Sequence, residues 1–255
     1  MKPTALLAVL LLALLSLGPL HAQAERSPAL ESMPEVLMTQ SEGRTFPRWV
    51  AAERVLDPSG EIDSSLFSAD QRESLSRIMK LPEKQGCIAL AGEIVDHLDP
   101  PVRENVFQAA KYARFVMIAE VTGVKGGFRG TEAGSLVQVI PAEVLKSDGR
   151  ETRKPFYLFL PNGFFSVGPH RFCARNASYP SLPEIGDQVM VFIPSRFDTS
   201  SPLLDIFDDG GVVVLKKDSS VDLPLRYRTD GTIKGLGKDA FVKNVRGFIT
   251  LGERK

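Results

Sequence analysis

The sequence predicts an α+β fold in which N-terminal helices precede an antiparallel β-barrel and a short C-terminal helix follows it. Before Ala113, apolar residues recur at helical spacing. After it, they form short extended runs separated by turns rich in glycine. About five to seven runs of this kind are typical of a closed or half-closed barrel. With 43% hydrophobic and 24% charged residues among 255, the chain has the composition of a folded protein.

The first 24 residues have the pattern of a secretory signal peptide. Lys2 gives a positive start, residues 5–17 form an apolar run, and Ala22 and Ala24 fit the small-residue rule for cleavage. The run is shorter than the roughly 20 apolar residues that span a bilayer. We therefore expect cleavage after Ala24, a periplasmic or secreted location, and no transmembrane anchor after cleavage.

The next two segments differ in composition. Residues 25–62 carry several prolines among serine and glutamate, which predicts an irregular lead-in. Residues 63–113 are predicted to be helical. Ser68 and Gln71 have the spacing of a capping box, and Asp99 before two prolines is typical of the cap of a second helix.

Residues 114–220 are predicted to form the barrel. Pro141 lies inside one run, so that strand is either an edge at this point or bends through a bulge. Asn162-Gly163 predicts a turn of the hairpin type. Residues 221–255 are predicted to be a tail with a short helix over residues 239–246. The predicted strands cover residues 115–124, 136–145, 156–160, 164–167, 189–193, 203–207 and 211–215.

The chain has two cysteines, Cys87 and Cys173. In an oxidising compartment an isolated pair favours a disulfide, which would tie the helical part to the strand part. A metal site built from these cysteines with His97 and His170 is the competing hypothesis. Since disulfide formation would consume both thiolates, we expect no metal and no other cofactor.

Strings within the predicted barrel support a resemblance. The strings ARFVMIAEVTGV, LVQVIPAEVLKSD and EIGDQVMVFIPS resemble the strands of small secreted OB-type barrels of the netrin-like and tissue-inhibitor-of-metalloproteinase kind, and exported bacterial proteins of unknown function. The resemblance covers about residues 110–216 and implies an OB-like barrel. Those inhibitors chelate zinc through an N-terminal cysteine. Here the mature chain would begin at Glu25 and its first cysteine is Cys87, so the resemblance does not imply that mechanism.

Several functional classes lose support from the sequence. The 31 basic and 31 acidic residues leave no basic surplus, so nucleic acid is not an expected partner. The chain has no G-x-S-x-G elbow, no P-loop and no dinucleotide fingerprint. Catalysis by a serine with a lysine, or by paired carboxylates, follows no fixed spacing in sequence. The hypothesis of a cryptic enzyme of either kind therefore stays open.

The candidate contact surface lies within residues 162–179, where aromatic and basic side chains alternate with turns. Aromatic and arginine side chains carry much of the energy of interfaces. The alternative is that Phe164 and Phe172 point into the core with Arg171 outside. The candidate binding residues are Phe165, His170, Arg171, Arg175 and Tyr179.

We therefore expect an exported, non-enzymatic protein with a binding or envelope-interaction role, whose partner is an unknown protein or an envelope component. A second hypothesis is an inhibitor or accessory factor of a secreted enzyme that does not use N-terminal zinc chelation. A cryptic enzyme is the third. A fold does not by itself decide between these hypotheses.

Overall fold

The structure of the protein is a computed structural model. It describes residues 33–37, 40–41, 44–45, 48–91, 106–147, 155–176, 179–193, 203–204, 211–224, 233 and 235–253. The predicted signal peptide and the predicted cap at Asp99 lie outside these ranges. Met33–Lys255 belongs to one compact unit. Among the described helices, none is both long and apolar enough to cross a bilayer.

The described chain consists mainly of strands, with few helices, which confirms the α+β class. The predicted capping box is present at the first helix, where Ser68 and Gln71 bond each other's backbone N–H. The helices are α1 (Ala69–Met79), α2 (Val106–Tyr112) and α3 (Lys238–Glu253), with one 3-10 turn at Ala52–Arg54. The strands are β1 (Val36–Leu37), β2 (Gln40–Ser41), β3 (Arg44–Thr45), β4 (Trp49–Ala51), β5 (Ile88–Ala91), β6 (Phe115–Arg129), β7 (Glu132–Lys146), β8 (Phe156–Leu160), β9 (Gly163–Val167), β10 (His170–Arg175), β11 (Gln188–Ile193), β12 (Leu203–Leu204), β13 (Gly211–Leu215) and β14 (Val221–Asp222).

The larger sheet runs in the order β12-β8-β7-β6-β11-β13-β14, and β4 joins it beside one end of β6. Its ladders are antiparallel apart from the short pairing of β12 with β8. Side chains from β8 and β13, on opposite sides of the central pair, lie in one hydrophobic cluster, so the sheet curls. Among the described residues no ladder joins its two ends. The antiparallel sheet is therefore confirmed, but its closure into an OB-like barrel is not.

One of the irregularities of the β6–β7 ladder lies where Pro141 interrupts β7. Ala119 pairs with Pro141 while the preceding Ile118 pairs with Glu143, which leaves Ala142 as an extra residue in the ladder. An extra residue on one strand bends that strand and increases its twist. The pairing of β8 with β7 ends at Val139, so Pro141 also lies on an edge among the described strands. Both of the alternatives that the sequence left open are present.

Helices α2 and α3 cover one face of the larger sheet. Phe107 and Phe248 stack with ring centroids 4.5 Å apart, which joins the two helices. The C-terminal helix is longer than the predicted residues 239–246 because its apolar positions continue to Ile249, which is buried in the same cluster.

The segment predicted as an irregular lead-in, residues 25–62, contributes a core strand. Trp49, Val50 and Ala51 are completely buried in β4. This strand lies close to β6 because Gly127 has no side chain: a Cβ there would clash with the carbonyl oxygen of Val50. The brief apolar stretch around Trp49 therefore forms a strand although prolines surround it.

The smaller sheet has the order β5-β10-β9, with β5 parallel to β10 and β9 antiparallel to it. The prediction of a hairpin turn at Asn162-Gly163 is wrong, because β8 pairs within the larger sheet and β9 within the smaller one. Two-residue hairpin turns need positive φ angles, and neither Asn162 nor Gly163 has one. The dipeptide instead carries the chain from one sheet to the other.

Candidate functional site

The smaller sheet is held by a disulfide. Cys87 and Cys173 are bonded, with their Cα atoms 5.9 Å apart, as the sequence predicted. Cys87 directly precedes β5 and Cys173 lies within β10, so the bond reinforces the parallel pairing of these two strands. It also joins the segment that follows α1 to the strand half of the chain, across a sequence separation of 86 residues.

One face of the smaller sheet is buried. Phe165 and Phe172 are direct cross-strand partners and therefore share this face. Each ring packs edge-on against Phe128 of β6, with centroid distances of 5.4 Å, and the two rings stack on each other at 5.5 Å. Phe165 was predicted as a binding residue, but the structure places it in the core. Phe165 lies directly over Gly126, and its Cβ and ring leave no room for a side chain at that glycine.

The opposite face of the smaller sheet is open to solvent. Phe164 is 66% exposed, and it pairs with Cys173, so its ring stands beside the disulfide. Arg171 and Arg175 are exposed two residues to either side of Cys173 on β10. Because residues two apart on a strand point to the same side, all four side chains lie on one surface. We call Phe164, Arg171 and Arg175 together the basic aromatic face.

The charges of this face are not neutralised locally. Among the described residues, neither Arg171 nor Arg175 forms an ion pair, and Phe164 makes no ring contact. The spacing of residues along a strand places the Cα atom of each arginine about 7 Å from that of Cys173. The ring of Phe164 therefore stands between two positive charges. This arrangement suits a partner that offers negative charge around an apolar contact.

The remaining predicted binding residues lie outside this face. His170 begins β10 opposite Val167 and is half-buried. Tyr179 is half-buried against the inner cluster of the larger sheet. The structure thus brings together Arg171 and Arg175 of the predicted set and adds Phe164. Strand alternation requires one of the adjacent Phe164 and Phe165 to face outward, but only the pairing register shows which one does.

Asn162 fixes the start of β9. Its Nδ2 donates to the carbonyl oxygen of Pro180 at 2.8 Å, and its Oδ1 accepts from the backbone N–H of Asn176 at 2.5 Å. The side chain therefore joins the residue before β9 to the residue after β10. The end of the pair at which β9 begins and β10 ends is therefore held by the fold.

The perturbed carboxyl groups of the described chain lie in turns. Hydrogen bonds from the hydroxyls of Ser59, Ser65 and Ser220 lower the pKa values of the side chains two residues before them, Asp57, Asp63 and Asp218 respectively. Each carboxylate also accepts the backbone N–H of the same serine, which is the pattern of an Asx turn. These shifts have a structural cause and do not mark an acid–base site.

Metal ligation has no support within the described ranges. No three histidine, cysteine, aspartate or glutamate side chains converge there. The disulfide occupies both cysteines, and His97 of the competing metal hypothesis lies outside the described residues.

No protein-family model matches this chain, and no curated protein matches it. A functional hypothesis for the chain consequently depends on the side chains that its fold exposes. The basic aromatic face is the surface where exposure, unpaired charge and a rigid backbone coincide.

Proposed function

We propose that this protein is an exported, non-enzymatic binding protein that contacts a negatively charged component of the envelope through the basic aromatic face. The observation that carries the proposal is Phe164, 66% exposed between two arginines that have no ion-pair partner among the described residues. Large aromatic and arginine side chains are the residue types that supply most binding energy at interfaces.

Two further features support the proposal. The backbone beneath the face is fixed by the disulfide and by the Asn162 hydrogen bonds, so little conformational entropy is lost on binding. The disulfide and the signal-like first 24 residues are both typical of exported proteins. An envelope component is the partner that such a protein would meet.

We also propose that the curled larger sheet belongs to the OB-like class. Support comes from its arrangement: the long bent pair β6 and β7 is extended by β8 on one side and by β11 and β13 on the other, around one shared cluster. OB-type barrels are five-stranded and partly open. Nuclear Overhauser contacts between side-chain protons of β8 and β13 are expected in solution, because both strands line this cluster. Their absence would leave an open sheet.

The function is tested by cosedimentation with envelopes isolated from the source organism. The triple variant Phe164→Ala, Arg171→Ala, Arg175→Ala is expected to lose at least about tenfold in affinity for the envelopes. The matched control is the triple variant Ile185→Ala, Lys217→Ala, Lys243→Ala. It removes one apolar side chain of similar exposure, 60%, and two exposed lysines away from the basic aromatic face. The control is expected to bind like the wild type.

Equal binding by the two triple variants would contradict the proposal. If the wild-type protein inhibited a secreted enzyme and the control did too, while the face variant did not, the inhibitor hypothesis would replace envelope binding at the same surface. Thermal denaturation of all three proteins is measured alongside, because exposed positions away from the core are expected to change stability by less than about 0.5 kcal/mol each.

A further inference from the structure

We infer that the basic aromatic face docks on the surface of an anionic lipid bilayer. The inference deepens the proposed function and rests on it, because it assigns the negatively charged envelope component to lipid headgroups. In this arrangement the ring of Phe164 enters the headgroup layer, and Arg171 and Arg175 bind lipid phosphates on either side of it. Phe164 is the exposed apolar member and the arginines are the exposed basic members of one surface.

The shape of the face favours a flat partner. Its other outward side chains are small: Ser166 pairs with Arg171, and Ala89 of β5 pairs with Cys173. Both are exposed, and beside the disulfide they leave no ridge next to the aromatic ring. A peptide would need a groove with pockets for its side chains. A bilayer surface needs only a protruding apolar group with cations around it.

The charges of the face complement phosphate. Arg171 and Arg175 are free of carboxylate partners among the described residues, so no internal ion pair has to be broken before they bind. Each basic side chain near an anionic membrane surface strengthens partitioning by about fivefold.

The rigidity of the face gives the contact a defined geometry. Phe164 is attached to a strand whose partner residue is part of the disulfide, so the backbone that carries the ring does not have to be ordered on binding. One aromatic ring and two cations bury far less apolar area than a lipid chain does, so the binding is reversible. The contact is therefore peripheral, and it weakens as salt screens the arginines.

The test is cosedimentation of the intact protein with vesicles of equal parts phosphatidylglycerol and phosphatidylcholine, against vesicles of phosphatidylcholine alone. Binding to the anionic vesicles is expected, with loss of binding at high salt. Arg171→Ala with Arg175→Ala is expected to lower partitioning about 25-fold, since the two contributions multiply. The control pair Lys217→Ala with Lys243→Ala, which carries the same change of charge, is expected to keep it.

Two conservative variants test how the face meets the bilayer. Arg171→Lys with Arg175→Lys keeps the charge but loses the fork that matches both phosphate and carboxylate, so vesicle binding is expected to persist within a few-fold, as an attraction due mainly to charge requires. Phe164→Trp adds an exposed indole to a chain whose own Trp49 is buried. Its emission is expected to shift to shorter wavelength with anionic vesicles, which reports insertion directly.

The outcomes distinguish this inference from the proposed function. If the wild-type protein ignores anionic vesicles but still requires the basic aromatic face for envelope binding, the lipid inference is overturned and the function stands. If vesicle binding is absent and envelope binding is lost after protease treatment of the envelopes, the face contacts an acidic protein and the inference is overturned as well. If envelope binding is independent of the face, both fail.

Discussion

The two sheets of this protein differ in how many of their faces are buried. The larger sheet is covered on both faces, by helices α2 and α3 on one side and by its own curl on the other. The smaller sheet buries one face against Phe128 and leaves the other open. The larger sheet therefore needs continuous apolar strands such as Gly211–Leu215, while the smaller one alternates. The larger sheet is therefore buried on both faces, and the proposed binding surface is the open face of the smaller sheet.

Removal of the disulfide tests whether the smaller sheet depends on a covalent link for its stability. For an 86-residue separation, the chain-entropy model gives a loss of about 4.5 kcal/mol when Cys87 and Cys173 are both replaced by alanine. Urea denaturation of the oxidised protein and the double variant measures this loss. Hydrogen exchange is expected to show β5 and β10 losing protection before β6 and β11. A loss below about 1 kcal/mol would mean that noncovalent packing alone holds the smaller sheet.

Phenylalanines in the two sheets provide a matched pair of deletions. Phe192 in β11 is 1% exposed, so Phe192→Ala removes a buried ring and is expected to cost about 4 kcal/mol. Phe164→Ala is the control, because its ring is already in solvent, and we expect a change within about 0.5 kcal/mol. Both free energies of unfolding come from the same urea titrations. Similar losses for the two variants would show that Phe164 is packed in solution.

The same difference explains what the sequence could predict. Strands β8, β11 and β13 of the larger sheet coincide with uninterrupted apolar runs and were predicted within one residue of their ends or better. The long pair was predicted too short: β6 continues to Arg129 and β7 begins at Glu132. The capping box at Ser68 and the disulfide also follow from local rules. These features are predictable because each depends on residue type at short spacing, or on the absence of any other cysteine.

Long-range pairing was not predictable in the same way. The sequence places Phe164 and Phe165 on adjacent positions, and alternation alone leaves two opposite assignments. The choice depends on the close approach of Phe165 to Gly126 and on its pairing with Phe172. Similarly, the Trp49 strand is identified by its partner β6 rather than by its own proline-rich surroundings. A candidate site on a sheet face depends on such contacts.

Glycine gives a third comparison, between a crowded position in the larger sheet and an open one in a helix. In Gly127→Ala the new Cβ would meet the backbone of Val50, which has little freedom to move, so we expect destabilisation by about 2 kcal/mol. Gly247 in α3 has open space where an alanine Cβ would lie, and Gly247→Ala is expected to stabilise by about 0.5–1 kcal/mol. Thermal denaturation reports both signs. Destabilisation by both variants would remove the steric explanation for Gly127.

The smallest expected effect concerns the loop that joins β4 of the larger sheet to α1 beneath the smaller one. In this loop the Ser59 hydroxyl donates to Asp57 at 2.6 Å, and it holds the pKa of that carboxyl below its ordinary value of 3.8. Ser59→Ala is expected to raise the pKa of Asp57, measured by NMR titration. Asp63, whose pKa is lowered by Ser65 in the same way, is the internal control.

The direction of the accompanying pH dependence follows from the sign of the shift. A carboxyl whose pKa is lower in the folded state stabilises the protein above its unfolded value of 3.8, and this contribution is lost as the pH falls through the folded pKa. The stability difference between wild type and Ser59→Ala should therefore be present at neutral pH and vanish in acid. A difference in stability that stayed constant down to acid pH would mean that Ser59 stabilises the loop backbone independently of the Asp57 charge. The loop between β4 and α1 would then depend on its backbone conformation and not on the ionised carboxylate.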